Sequence, residues 1–191
     1  LGLNKDTNGG YSQADFDYST SFSSAEEQHA AELKEIGKRL NDFGVGGYLQ
    51  HFVRKSARNY FDGCFGWGGL GEIFYTEIFP ERGTALCSLI RSLYYDNKEE
   101  NLYRYPALLR QILWYMVLIL VPFSVFTKRP LDKRRQVAVL SVLGLMLYLQ
   151  IFEAHARYLY TFVPIFVFLA TEGIDNLREY LNQKSERRIK K

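Results

Sequence analysis

Glu153, His155 and Arg157 form a short polar island inside an apolar stretch, with VAVLSVLGLMLYLQ before it and LYTFVPIFVFLATEG after it. Each of the three can do chemistry. The guanidinium of Arg157 is planar, always charged and shaped to hold two oxygens of a phosphate. The imidazole of His155 can donate to a phosphate or relay a proton near neutral pH. Glu153 stands four residues before Arg157, the spacing at which a helix brings a carboxylate to a guanidinium. Ionisable groups are costly in hydrocarbon and tend to be functional where they occur there. Two readings stay open: a structural Glu153–Arg157 pair, or a phosphate-contacting group at a membrane surface.

A second constellation lies near the start. Asn4, Asp6, Asn8 and Gly9 fall at positions 1, 3, 5 and 6 of a calcium-loop pattern, with Ser12 at position 9 and Asp15 at position 12. That spacing suits oxygen ligands around one hard cation, and a divalent cation is the only cofactor the sequence suggests. The first position is Asn rather than Asp and the last is Asp rather than Glu, so a plain Asn-Gly turn is the alternative. A nucleotide loop is not expected: the glycines between residues 63 and 71 lack both the GxxxxGK[ST] pattern and a strand-to-helix context. No residue can be assigned as catalytic by motif.

The elements that position these groups divide into two kinds. Residues 1–104 are polar and rich in Gly, Tyr, Phe and charge, whereas residues 105–173 are dominated by Leu, Val, Ile, Phe and Tyr. The net charge of +3 is small and the basic residues gather after the apolar runs, which leaves no basic, aromatic-interleaved surface for nucleic acid. The chain opens on Leu1 without a signal-peptide pattern, and it is expected to be the C-terminal part of a longer protein. Cys64 and Cys87 are expected to be unpaired small hydrophobes, a disulfide being the alternative if they face an oxidising exterior.

In chain order, residues 1–24 read as loop. Ser24 and Glu27 have capping-box spacing, and a helix follows with Leu33, Ile36, Leu40 and Phe43 on its apolar face. The stretch from Gly44 to Gly47 ends it. A second helix, from Tyr48 to Phe61, carries Tyr48, Phe52 and Phe61 on one side and basic Lys55 and Arg58 on another. It is expected either to lie in a membrane interface or to dock on the first helix. Phe65 and Trp67 are expected at headgroup level or against that helix, followed by a short strand or helix turn near Ile73–Phe79. A short amphipathic helix is expected in ALCSLIRSLYYDN. Three membrane spans follow, at about 108–126, 137–152 and 159–171, the first close to the ~20 residues a bilayer needs and the other two short. Arg110 is expected to snorkel from the first span. Basic segments with Lys128, Arg129, Lys133, Arg134 and Arg135, and then residues 174–191, fall on one side of such an arrangement. The positive-inside rule makes that side cytoplasmic and residues 1–104 exterior. The expected fold is mainly α: an exterior helical segment (1–104), about three transmembrane helices (105–173) and a basic cytoplasmic tail (174–191).

The stretch E-A-H-A-R-Y-L with a Pro-containing apolar span behind it, here Glu153, Arg157, Tyr158 and Pro164, resembles the last membrane hairpin of polytopic GT-C-type glycosyltransferases. A closer likeness is to Gram-positive mannosyltransferase-like or cell-wall glycosyltransferases. In these a segment similar to LGLNKDTNGGYSQADFDYS precedes a helix and a K…RN-x-x-DG-x-x-x-W stretch, here Lys55, Arg58, Asn59, Asp62, Gly63 and Trp67. The resemblance implies a multi-pass plasma-membrane enzyme moving a sugar from a polyprenyl-phosphate donor to an exterior glycan acceptor. It implies Arg157, Glu153 and His155 at the active-site mouth, Lys55, Arg58, Asp62 and Trp67 on the acceptor side, and a catalytic acid upstream of Leu1. A non-catalytic scaffold of polysaccharide assembly or export, and a lipid-linked glycan polymerase or ligase, are the other classes.

Overall fold

The computed structural model describes residues 2–66, 84–94, 102–126 and 131–189. Trp67 and the stretch expected as a strand or helix turn near Ile73–Phe79 lie outside the described residues. Among the described residues the chain is helical, without strands. The helices are α1 (Gln13–Thr20), α2 (Ala25–Tyr60), α3 (Ala85–Tyr94), α4 (Arg104–Leu120), α5 (Lys133–Ile151) and α6 (Val163–Ile189). Short 3-10 helices, Val121–Ser124 and Ala156–Phe162, follow α4 and precede α6. The chain divides into two compact units, Leu1–Tyr60 with Leu143–Ala156, and Phe61–Val142 with Arg157–Lys191.

In the first unit, α1 occupies part of the stretch expected as loop. Its start is set by Ser12, whose side chain accepts the Asp15 N–H at 3.3 Å, a cap that satisfies one of the helix's open donors. The capping expectation for α2 holds: Ser24 Oγ accepts the Glu27 N–H at 3.2 Å. Gly44, with φ 57° and ψ 179°, breaks α2 into two helical segments, a backbone conformation that glycine adopts without a side-chain clash. Beyond the break the apolar side chains face outward, as an interfacial helix would have them, but Lys55 of the expected basic face is buried. The buried residues of α2 are His51, Lys55 and Asn59, while Phe52, Val53, Phe61 and Val45, the last 84% exposed, face outward. The reason lies in what covers the helix. The N-terminal turn and the end of α5 offer it backbone carbonyls, which suit polar side chains and not phenylalanines. Leu33, Ile36 and Leu40 on the first segment also face outward.

In the second unit α4 and α6 lie side by side. Trp114 meets Phe166 with ring centroids 5.4 Å apart. Further along, Gly173 lies so close to the Leu120 carbonyl that a Cβ would overlap it. Further still, Asn176 Nδ2 donates to the carbonyls of Phe123 and Ser124 at 2.9 and 3.2 Å. Residue numbers rise together on both helices, so the two run parallel. At the start of α5, Arg135 pairs with Glu172 of α6 at 3.2 Å, close to the end where α4 finishes. Trp114, Leu159, Phe166 and Leu169 are buried.

Among the described residues two helices are long and apolar enough to cross a membrane, Arg104–Ser124 and Ala156–Ser185. The run expected as a middle span lies within α5. This helix has 19 residues, but Lys133, Arg134 and Arg135 take up its first turn, leaving an apolar stretch short of the ~20 residues of a full span. Residues 174–189, the greater part of the expected basic tail, continue α6 as helix.

Candidate functional site

In the first unit, Lys55 is the centre of the polar cluster. It is 0% exposed. Its Nζ donates to the carbonyl oxygens of Gly2 and Gln150, each at 2.7 Å, and His51 Nε2 stands 3.1 Å from the same Gly2 oxygen. Gln150 returns a second link through Nε2 to Ser56 Oγ at 3.0 Å. Two glycines make room for the ammonium. A Cβ on Gly2 would meet the Ile151 carbonyl, and one on Gly9 (φ 78°) would lie 2.8 Å from the Lys55 stem. The Ala154 N–H donates to the Gly9 carbonyl at 2.6 Å, closing the ring of contacts. Burial lowers the Lys55 amine to about 8 and holds His51 below the usual imidazole value. Lys55 is therefore a clamp among three chain segments. One turn on, Asn59 is 0% exposed, and both polar atoms of its side chain lack partners among the described residues.

The N-terminal pattern is organised around side chains of its own. Asn4 Oδ1 accepts the N–H groups of Asp6 and Thr7 at 3.0 and 3.1 Å. Both carboxylate oxygens of Asp15 are taken by Arg39, at 2.8 and 2.9 Å, and Asn4 Nδ2 donates to Asp15 at 3.1 Å. That guanidinium holds the Asp15 carboxyl well below the usual carboxylate range. Asn8, with φ 49°, makes the turn. The carboxylate that a calcium loop needs at its last position is thus neutralised by Arg39. A cleft of about 220 Å³ lies beside it, lined by Leu3, Asn4, Lys5, Asp6, Arg39, Asp42 and Phe43. Arg58 is exposed and donates to the Thr7 carbonyl at 3.1 Å.

The polar island divides at the unit boundary: Glu153 and His155, both half-buried, close the first unit, and Arg157 opens the second. Arg157 is exposed, its guanidinium carbon 5.4 Å from the centroid of the Tyr158 ring. It sits one turn outside Tyr160, which meets Phe65 at 5.9 Å, and Phe65 in turn meets Trp114 at 5.0 Å. Arg157 therefore stands at the same end of the parallel pair as the start of α4. Asp62 is at this end too, its carboxylate accepting the Cys64 N–H at 2.8 Å and the Gly66 N–H. Cys64 and Cys87 are free thiols.

One group at this end is not singled out by motif. Arg110 belongs to the second turn of α4, where Tyr103 lies 5.5 Å from its guanidinium carbon. An arginine set into an apolar run is the sequence signal for it, and snorkelling accounts for the charge but not for its burial.

Residues 1–176 match the family described as conserved hypothetical integral membrane protein. The chain belongs to this family. Membership makes the bilayer the surroundings of the apolar helices, and it accounts for the outward-facing Leu108, Leu109, Ile112, Leu113 and Ile119 of α4, which in lipid need no further cover. No curated protein and no solved structure matches the chain.

Proposed function

We propose that this family member is part of a membrane glycosyltransferase of GT-C type, moving a sugar from a polyprenyl-phosphate donor to a cell-surface glycan. The observation that carries the reading is Arg157. It is an exposed guanidinium at the start of a helix long and apolar enough to cross a membrane, and an arginine at the end of such a span suits a lipid-borne phosphate. His155 and Glu153 precede it in the chain as candidates for proton transfer and scaffolding.

The parallel pair supports a three-pass arrangement in the plasma membrane. A chain that leaves α4 at its far end and enters α6 at the near end has to travel back between them. The helix available for the return is α5, 19 residues or roughly 28 Å long. Local thinning of the bilayer would let it cross. The positive-inside rule then makes the end with Lys133, Arg134 and Arg135 cytoplasmic and the Arg157 end, with residues 1–104, exterior.

A second reading, a non-catalytic subunit or scaffold of polysaccharide assembly, is favoured by the acids. Asp15 is held by Arg39 and Asp62 by backbone N–H groups, so neither is poised as a base. Replacement of Arg157 by Ala separates the two. In cells carrying Arg157→Ala at normal membrane level, the enzyme reading expects the glycan product to fall on the order of a hundredfold, the loss of one charge-assisted transition-state contact. A surface glycan profile identical to wild type would sink it in favour of the scaffold.

A further inference from the structure

We infer that Arg110 and Gln111 form a buried phosphate-binding site at the near end of the first span. This site is separate from the exposed Arg157 and goes beyond the reading above. Its basis is a cluster of donors without acceptors. Nε and Nη2 of Arg110 and Nε2 of Gln111 are all buried, and none meets an acceptor among the described residues. Every one of these atoms is an N–H donor, so only an acceptor group can satisfy them. Arg110 is half-buried as a residue, and charged N–H groups buried without an acceptor are among the costlier features a protein can carry.

Among the described residues no carboxylate is bonded to Nε or Nη2 of Arg110. Asp62, the acid on the neighbouring segment, has its carboxylate on the N–H groups of Cys64 and Gly66. Tyr103 offers Arg110 a ring face, which weakly attracts the cation but accepts no hydrogen bond of this kind. The Gln111 oxygen already accepts the Gly63 N–H at 2.9 Å, leaving its amide nitrogen as the open half of the side chain. The wall is fixed: Gly63 lies so close to α4 that a Cβ there would stand 2.9 Å from the Trp114 Cβ and 3.0 Å from the Arg110 carbonyl.

The position argues for phosphate. Arg110 is six residues beyond Arg104, roughly 9 Å along the helix, within reach of the headgroup layer for a long side chain. The guanidinium edge with Nε and Nη2 suits two oxygens of a tetrahedral phosphate, and the Gln111 amide on the next residue is a further open donor. Lipid-borne and free phosphate share this chemistry.

The test uses the purified full protein in dodecyl maltoside, titrated calorimetrically with farnesyl phosphate, dioctanoyl phosphatidylglycerol and inorganic phosphate. Saturable binding of at least one probe is expected, weakened roughly tenfold or more in Arg110→Gln and less in Gln111→Leu. Binding of farnesyl phosphate or the phosphatidylglycerol alone assigns the phosphate to a lipid, and binding of inorganic phosphate assigns it to solution. No binding by any probe, or binding unchanged in Arg110→Gln, overturns the site. If Arg157→Gln removes binding where Arg110→Gln does not, this inference falls and the Arg157 reading stands. Loss in Arg110→Gln together with normal glycan in Arg157→Ala cells has the reverse meaning. A melting measurement guards against misfolding. Arg110→Met is expected to raise the phosphate-free melting temperature by removing an uncompensated charge. A fall would mean that the guanidinium has a partner within the protein, and would overturn the site.

Discussion

Lys55 shows how much one residue can depend on its covering. Its ammonium joins the carbonyls of Gly2 and Gln150, 95 residues apart from the latter in sequence. Lys55→Met would leave both oxygens buried without that donor, at a cost of about 2–4 kcal/mol. Burial lowers the folded amine to about 8 from its ordinary value of 10.5, so between those values the unfolded chain binds the extra proton. Stability of the wild type relative to Lys55→Met therefore rises as pH climbs from 8 to 10.5. Thermal melts of both proteins across that window check it, and the comparison cancels Tyr60, whose phenol burial pushes up to about 12 in either protein. None of this was legible beforehand. A lysine between Phe52 and Arg58 reads as one charge on a solvated face, because sequence periodicity reports which residues share a face and not what chemistry covers it. The Asp15–Arg39 pair was hidden for a similar reason, its partners lying 24 residues apart on separate helices.

At the scale of elements, local signals were sound and long-range ones were not. The Ser24 cap, the glycine break in α2 and the short α3 are written in neighbouring residues, and each is where the pattern puts it. Helix α1 escaped notice because Asn-Gly, Ser and Asp dominate its surroundings, although Ser12 followed by Asp15 is itself a cap. The parallel contact of α4 and α6 depends on Gly173, which in sequence looked like the end of a span. In Gly173→Ala the new methyl would overlap the Leu120 carbonyl, forcing the helices apart and lowering stability by about 1–3 kcal/mol. Gly144→Ala on α5 is the control: nothing lies within 4 Å of its Cβ position. There the substitution is expected to be neutral or to stabilise by roughly 0.5–1 kcal/mol. Melting curves of the two variants in detergent distinguish a specific close approach from a general intolerance of the fold.

For the whole molecule, the membrane half was legible from hydropathy alone, whereas the number of crossings was not, because α5 begins with three cations. Topology can be read directly. In a chain with Cys64 and Cys87 replaced by Ala, single cysteines at Tyr105, Phe152, Lys133 and Gln183 are probed on intact cells with a membrane-impermeant maleimide. The three-pass arrangement expects Tyr105→Cys and Phe152→Cys to label from outside, and the other two only after lysis. Labelling of Phe152→Cys together with Lys133→Cys would mean that α5 does not cross.

Parallel helices also align their peptide dipoles. The first turns of α4 and of the segment leading into α6 direct partly positive N–H ends to one side of the unit, and the opposite side receives the partly negative carbonyl end of α4. Arg135 lies toward that second side, paired with Glu172, where its charge favours the carbonyls. On the first side Arg110 and Arg157 add to a potential that is already positive. The two faces thus differ in electrostatic sign by backbone orientation as well as by side chains, and the face bearing both arginines would draw anions.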